Sequence, residues 1–292
     1  MFQETKEKGK ILDLINIVPI PLFEDNYSYL IYSNLETGVL IDPADSNVIQ
    51  TFLSTNYPSM KISHIFLTHK HWDHSGGVPE LIPFLLKNNK NLEIVAGEEE
   101  DLKFTTISVK GNEQIVTIFG SIDVKCIKVP CHTKGHCLYY INTNSEKANN
   151  LDDQQCFQCK NCVFTGDTLF IGGCGKFFEG NAEDMHRNLE LIKKLPLDTL
   201  IFCGHEYTVS NLEWAVGIDW DNKIIQKKLV EAKEKRSKGK YTIPSNVENE
   251  LDINVFLKYN SDLLKERLKL SDEIEILAKL RELKNNKISL RK

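Results

Sequence analysis

Ile65-Phe66-Leu67-Thr68-His69-Lys70-His71-Trp72-Asp73-His74-Ser75-Gly76-Gly77 is the stretch whose reading decides the fold. An apolar run stops, and three histidines and a carboxylate follow within six residues. Apolar residues ahead of a glycine-rich turn read as a buried strand leaving a sheet. In extended backbone His69 and His71 project to one side, because side chains two apart share a face. Asp73 and His74 then face the same cavity from the bend. Imidazoles with a carboxylate suit zinc, iron or manganese, with none of the thiolates that would commit the site to a closed structural zinc. The chain has 8 histidines and three stand here, so a chance polar turn is the weaker reading.

Around this turn the chain alternates strand-like and helix-like runs. Ile11–Pro21, Tyr27–Tyr32 and Val39-Leu40-Ile41 read as strands, the last ended by Asp42-Pro43. Ser46–Tyr57 has helical spacing at Val48, Ile49, Phe52 and Leu53, and Val78–Lys87 opens a helix near Pro79. Ile94-Val95-Ala96, Ile115–Phe119 and Val124–Val129 are further strands. The order predicts mixed sheets covered by helices. From Asn142 to Asn161 the composition turns polar, which predicts a mobile surface insertion whose Cys156, Cys159 and Cys162 are free surface thiols rather than a zinc knuckle. Beyond Tyr207 the pattern is helical without strand runs, with capping-box starts at Ser245/Glu248 and Asp272/Glu275. The division expected is a catalytic domain over 1–205 and a helical domain over 206–292.

Three later apolar runs each end in a candidate ligand. Val124–Cys131 leads to His132, Cys162–Gly166 to Asp167, and Leu200–Gly204 to His205. In open sheets, sites gather beyond the carboxyl ends of strands. With the first cluster this makes five histidines and two aspartates, enough for two divalent ions. A workable partition gives one ion His69, His71 and His132, and the other Asp73, His74 and His205, with Asp167 bridging both. Zinc is the first choice of metal, with iron or manganese as alternatives. Such a pair lowers the pKa of a shared water toward neutrality and favours hydrolysis. His136 is expected to orient its neighbours; His64 and His186 are read as surface or packing residues.

Composition bounds the rest. The 292 residues are 41% hydrophobic and 26% charged, as in an ordinary globular protein with a sizeable core. A net charge of −5 gives no general attraction to nucleic acid or anionic membranes. No apolar run reaches transmembrane length, and the charged start Met1–Lys10 has no secretory core. Eight scattered cysteines fit a reducing compartment, so a cytoplasmic location is expected, with an organelle as the alternative should an upstream targeting extension exist. The expected state is a monomer.

Thr68–His74 resembles the Thr-His-x-His-x-Asp-His motif of the metallo-β-lactamase superfamily. Within it, the chain resembles the glyoxalase II (hydroxyacylglutathione hydrolase) family. The motifs are Pro130-Cys-His-Thr-Lys-Gly-His136, Phe164-Thr-Gly-Asp-Thr-Leu-Phe170, Gly172-Gly-Cys-Gly-Lys-Phe-Phe-Glu-Gly180 and Cys203-Gly-His-Glu-Tyr-Thr208. The resemblance implies an α+β fold, a four-layer αβ/βα sandwich followed by a C-terminal helical domain. It implies hydrolysis of S-D-lactoylglutathione to D-lactate and glutathione, the second step of methylglyoxal detoxification, by a hydroxide bridging two metals. It also implies the metal partition given above, with Asp73 and Asp167 holding the attacking oxygen. Lys176, Tyr207, Arg281 and Lys284 match the family's glutathione-binding positions. Phe178 stands where the family commonly has tyrosine, which should cost about 0.5–1.5 kcal/mol of binding. Rival chemistries are a one-iron persulfide dioxygenase, a nuclease using Lys223–Lys240, and a scaffold without catalysis. The helical extension with its basic pair argues against the first, interleaved Glu231 and Glu234 against the second, and the complete ligand set against the third.

Overall fold

A computed structural model describes residues 14–291 apart from 148 and 152–154; the charged opening Met1–Lys10 and the first residues of the Ile11–Pro21 run lie outside them. Strands β1 (Ile15–Leu22) and β2 (Asn26–Tyr32) form a hairpin, and β3 (Thr37–Ile41) joins it antiparallel. Helix α1 (Ser46–Asn56) starts at Asp45, whose carboxylate accepts from the N–H groups of Asn47 and Val48. Strand β4 (Lys61–Phe66) then runs parallel to β3. The short α2 (Trp72–Ser75) and α3 (Val78–Leu85) follow the histidine turn. Pro79 sits in the first turn of α3, where a missing N–H costs nothing. Strands β5 (Glu93–Gly97) and β6 (Ile107–Val109) continue parallel to β4.

The second sheet is built from β7 (Glu113–Ile118), β8 (Ile122–Lys128) and β9 (Cys137–Asn142), all antiparallel. Strand β10 (Phe157–Cys159) returns to the first sheet beside β1, and β11 (Asn161–Gly166) pairs with β9. A small ribbon, β12 (Leu169–Phe170) with β13 (Gly173–Cys174), precedes α4 (Ala182–Lys193) and β14 (Leu200–Cys203). Residues beyond it form α5 (Thr208–Ile218), α6 (Lys223–Ser237), the two-residue β15 (Ser245–Asn246), α7 (Val247–Ile253), α8 (Asp262–Leu268) and α9 (Glu273–Asn285). Strand order is β10-β1-β2-β3-β4-β5-β6 in one sheet and β15-β14-β11-β9-β8-β7 in the other.

Alternation along the strands explains the layers. Ile15, Ile17, Tyr27, Tyr29, Ile31, Val39, Ile41 and Phe66 face the second sheet and share a core with Val124, Tyr139, Phe164 and Phe202. Ile20, Leu22, Leu30, Leu40 and Ile65 point the other way, onto Ile49 and Leu53 of α1 and Val78 and Leu81 of α3. Met185, Leu189 and Ile192 of α4 pack into the core on the side of the second sheet. The result is the expected αβ/βα sandwich. Each fully buried aliphatic or aromatic side chain contributes roughly 1.5–3 kcal/mol. Two buried tyrosines also tie the sheets, the Tyr29 hydroxyl donating to Cys203 O at 2.6 Å and the Tyr139 hydroxyl to Leu67 O at 2.5 Å. Among the described residues, no helix is long and apolar enough to cross a membrane.

Two expectations are corrected. The polar stretch 142–161 is not a surface insertion throughout: Phe157 and Cys159 are buried as part of β10, and Cys162 is buried in β11. Alternation of Phe157 and Cys159 across the polar Gln158 is a strand signal that the surrounding Asn and Asp residues mask. Cys159 and Cys162 are therefore core thiols, and Cys156 is half-buried. The segment after residue 206 also contributes a strand, since β15 extends the second sheet beside β14. Ser245 belongs to that strand and donates to Glu250; the cap of α7 is Asn246. Asp272 caps α9 as expected.

Candidate metal centre

The carboxyl ends of β4, β8, β11 and β14 meet at one edge of the sandwich, and each delivers a polar side chain into a common space. His69 follows β4, His132 follows β8, Asp167 follows β11 and His205 follows β14. The backbone is stitched across the sheets here, Cys137 N–H to Thr68 O at 2.8 Å and Tyr27 N–H to Gly204 O at 2.8 Å. Close approach demands glycine at Gly166, whose φ is +46° and where a Cβ would stand 2.5 Å from Thr68 Oγ1. A Cβ on Gly204 would stand 2.6 Å from Asp167 Oδ1.

Seven side chains converge. His71 Nδ1 lies 2.9 Å from His69 Nε2 and 3.1 Å from His132 Nε2. On the other side, His74 Nε2 lies 3.3 Å from His205 Nε2, and Asp73 Oδ2 is 3.5 Å from His205 Nε2. Asp167 stands between the two sets. Its Oδ1 is 3.3 Å from His74 Nε2 and 3.4 Å from His205 Nε2, while its Oδ2 is 3.5 Å from His132 Nε2. These ligand atoms fall into groups compact enough to hold an ion: His69, His71, His132; His69, His74, Asp167; and Asp73, His74, His205. Among the described residues such groups occur only here, so the cysteines 156, 159 and 162 form none.

The donor chemistry fits divalent cations. A single proton on His71 Nδ1 can satisfy only one of the two imidazole lone pairs about 3 Å from it, whereas a cation among them would satisfy all three, and buried Asp167 Oδ1 has no hydrogen-bond partner. The far nitrogens of four of the five histidines are anchored, which turns their near lone pairs inward. His74 Nδ1 is 2.9 Å from Asp42 Oδ2, His132 Nδ1 is 3.0 Å from Lys176 O, His205 Nδ1 is 2.9 Å from Asp25 Oδ1 and His69 Nδ1 is 3.1 Å from Thr68 Oγ1. Burial holds His69, His71 and His132 below the ordinary imidazole pKa, leaving them neutral ligands. Burial works against charge on Asp167, but His74 and His205 beside it hold its carboxyl well below the usual range. The fold and this cluster point to a binuclear divalent-metal site.

The sequence reading missed three anchors. Asp42 accepts from Thr68 N at 2.7 Å and Thr68 Oγ1 at 2.6 Å besides holding His74; its only sequence signal is a strand-end Asp-Pro. Asp25 and Asn26 lie in the β1–β2 turn, and Asn26 Nδ2 donates to Asp73 O at 3.0 Å and Asp73 Oδ2 at 3.2 Å. Nothing local to that turn marks them. His136 is buried, stacks on His69 with ring centroids 4.8 Å apart, and accepts the Asp167 N–H at 3.2 Å. His64 pairs with Glu93 and His186 with Glu273, away from the cluster.

Beside the cluster, a cavity of ≈ 230 Å³ is lined by His132 and Asp167 together with Phe170, Lys176, Phe178, Tyr207, Asn211, Arg281 and Lys284. It adjoins a larger cleft past Trp214 that shares Lys176, Tyr207, Arg281 and Lys284. Buried Leu277 and Leu280 seat α9 and bring Arg281 and Lys284 inward. Arg281 is only 6% exposed and donates through Nη1 to Cys174 O at 3.0 Å. Lys284 donates to Asn211 Oδ1 and stands 5.1 Å above the Trp214 ring. Phe178 is 60% exposed, its ring 5.1 Å from His132.

Residues 206–287 match the family described as Hydroxyacylglutathione hydrolase C-terminus, and residues 23–84 match the Metallo-beta-lactamase superfamily. A cytoplasmic hydroxyacylglutathione hydrolase of Arabidopsis thaliana is 37% identical over 279 residues, covering 94% of this chain and 98% of that relative. The chain belongs to the hydroxyacylglutathione hydrolase family. The Dictyostelium discoideum hydroxyacylglutathione hydrolase is 38% identical over 84% of this chain and 86% of its own length. The fold alone is shared with the crystal structure of ETHE1 from Myxococcus xanthus, at a TM-score of 0.58 and 21% identity over 92% of this chain and 91% of that one. As a hydroxyacylglutathione hydrolase family member, the chain is a hydrolase.

Proposed function

We propose that this enzyme hydrolyses S-D-lactoylglutathione to D-lactate and glutathione. The observation that carries this reading is a shared wall: His132 and Asp167 line the same cavity as Lys176, Tyr207, Arg281 and Lys284. A thioester whose tripeptide is anchored among those cations therefore has its carbonyl beside the histidine–aspartate cluster. His69, His71 and His132 would hold one divalent ion and Asp73, His74 and His205 a second, with Asp167 shared, and ions so held would supply Lewis acidity and lower the pKa of water. Asp73 and Asp167 are placed to orient an attacking water and to take up its proton as its oxygen bonds to the thioester carbonyl carbon. The C–S bond then breaks, and glutathione leaves as a thiolate that needs no strong general acid. Residues 1–205 would form the catalytic domain and 206–292 the glutathione-binding domain, acting as a cytoplasmic monomer without nucleic acid or membrane partners.

The test is loss of thioester absorbance with S-D-lactoylglutathione against a panel of other thioesters and a phosphodiester. Preference for the glutathione thioester is expected; cleavage of the phosphodiester alone would overturn the reading. Metal analysis of pure protein should give about two divalent ions per chain, zinc first among them, and chelation should abolish turnover. One ion per chain would favour a mononuclear chemistry instead.

Lys284 adds a pH dependence. Burial, and then the neighbouring Arg281 charge, push its ammonium down to about 7. The cation that attracts a substrate carboxylate is present below that pH and lost above it. The kcat/KM, which reports the free enzyme, is therefore expected to fall through rising KM as the pH rises through about 7. Lys284→Met should remove that limb of the profile; an unchanged limb in the variant would sink the assignment.

A further inference from the structure

Glu100 lies outside the ligand set and outside every motif that marked the site. It ends the single turn of 3-10 helix, Glu98–Glu100, that follows β5, and its side chain is buried, the residue being 3% exposed. Its Oε2 accepts the Lys70 N–H at 2.6 Å. Its Oε1 accepts the Gly135 N–H at 2.7 Å and the Thr133 hydroxyl at 2.7 Å. Lys70 stands between His69 and His71, and Thr133 follows His132. One carboxylate therefore joins the loop that carries two imidazoles to the loop that carries the third. The seat is tight: a Cβ on Gly135 would stand 2.7 Å from Glu100 Oε1, and one on Gly97 would stand 1.9 Å from Gly135 O.

The other half of the cluster is held differently. Asp42 anchors His74, besides holding Thr68 next to His69, while Asp25 anchors His205 and Asn26 anchors Asp73. We propose that Glu100 is a positioning residue for one metal position only, setting the spacing of His69, His71 and His132 while leaving Asp73, His74 and His205 to their own anchors. The inference rests on the two-metal reading above. Three charge-assisted bonds from a buried carboxylate to two loops fix imidazole positions more tightly than loop packing alone, and such outer contacts govern metal affinity.

Glu100→Gln tests it in the full-length protein. The amide keeps the size and one carbonyl oxygen but sets an N–H donor against the Lys70 N–H. Zinc titration against a competing chelator is expected to show one site weakened about 10–100-fold and the other unchanged. At limiting zinc, kcat should fall with KM for the thioester unaltered, and excess zinc should restore kcat. Thr133→Val, which removes one donor and preserves the core, should weaken the same site to a smaller degree and serves if Glu100→Gln fails to fold. Wild-type titration of both sites in the two variants, or equal weakening of both sites, overturns the inference. A wild type that binds no zinc overturns the metal reading itself, which is a different result from two sites in all three proteins.

Discussion

Asp167→Asn is expected to abolish thioesterase turnover and to reduce metal content. The two carboxylate oxygens serve different halves of the site, Oδ1 facing His74 and His205 and Oδ2 facing His132. An asparagine of the same size offers one half an amide donor that cannot ligate a cation, and it removes a negative charge from a buried cluster. Loss of a single preorganised contact to a developing oxyanion typically costs about 10²–10³ in kcat. Disruption of a ligand shared between two ions should exceed that. The measurement is kcat in metal-defined protein alongside metal analysis. Equal kcat for the two proteins would refute the bridging role, even if both held two ions.

Arg281→Ala should raise KM strongly and also lower stability. The resemblance places Arg281 among the glutathione-binding positions. The structure makes it a buried group whose Nη1 donates to Cys174 O and Gly175 O, immediately before Lys176, while its Nε has no partner. Truncation therefore removes a charge from the cavity and leaves two carbonyls of the Gly-Cys-Gly-Lys loop short of a donor. A hydrogen bond to a charged group is worth roughly 1.5–3 kcal/mol, so KM should rise about 10–150-fold. Melting temperature should fall at the same time, because the orphaned carbonyls are buried. Arg281→Lys restores the charge but not the planar reach to both carbonyls, and should recover affinity only in part. An unchanged KM in Arg281→Ala would remove Arg281 from the substrate site.

Most of the cluster was legible in the chain because His69, His132, Asp167 and His205 each come at the end of an apolar run, and His71, Asp73 and His74 crowd the turn after the first of them. A strand that ends in a polar residue beside glycine carries its own signal, as at Gly166-Asp167 and Gly204-His205. Burial on alternate faces was legible too, in runs such as Ile15 to Leu22. Where polar residues flank a short strand the same signal fails, which is why Phe157–Cys159 reads as surface. Two-residue strands such as Ser245–Asn246 are too short to show alternation at all; their pairing is decided by the neighbouring strand.

By itself the sequence determined which side chains could ligate metal, that they were enough for two ions, and that apolar strands would carry them. These follow from residue chemistry and from periodicity, both local properties. Only the tertiary structure decided which oxygen of Asp167 faces which histidines, and that Asp25, Asn26, Asp42 and Glu100 hold the ligands in place. It also made Arg281 a buried donor to Cys174 O. Those outcomes depend on residues 26 to 180 positions apart in the chain reaching hydrogen-bond distance. A carboxylate's partners across such spans are fixed by how two sheets pack, and no spacing along the chain encodes them.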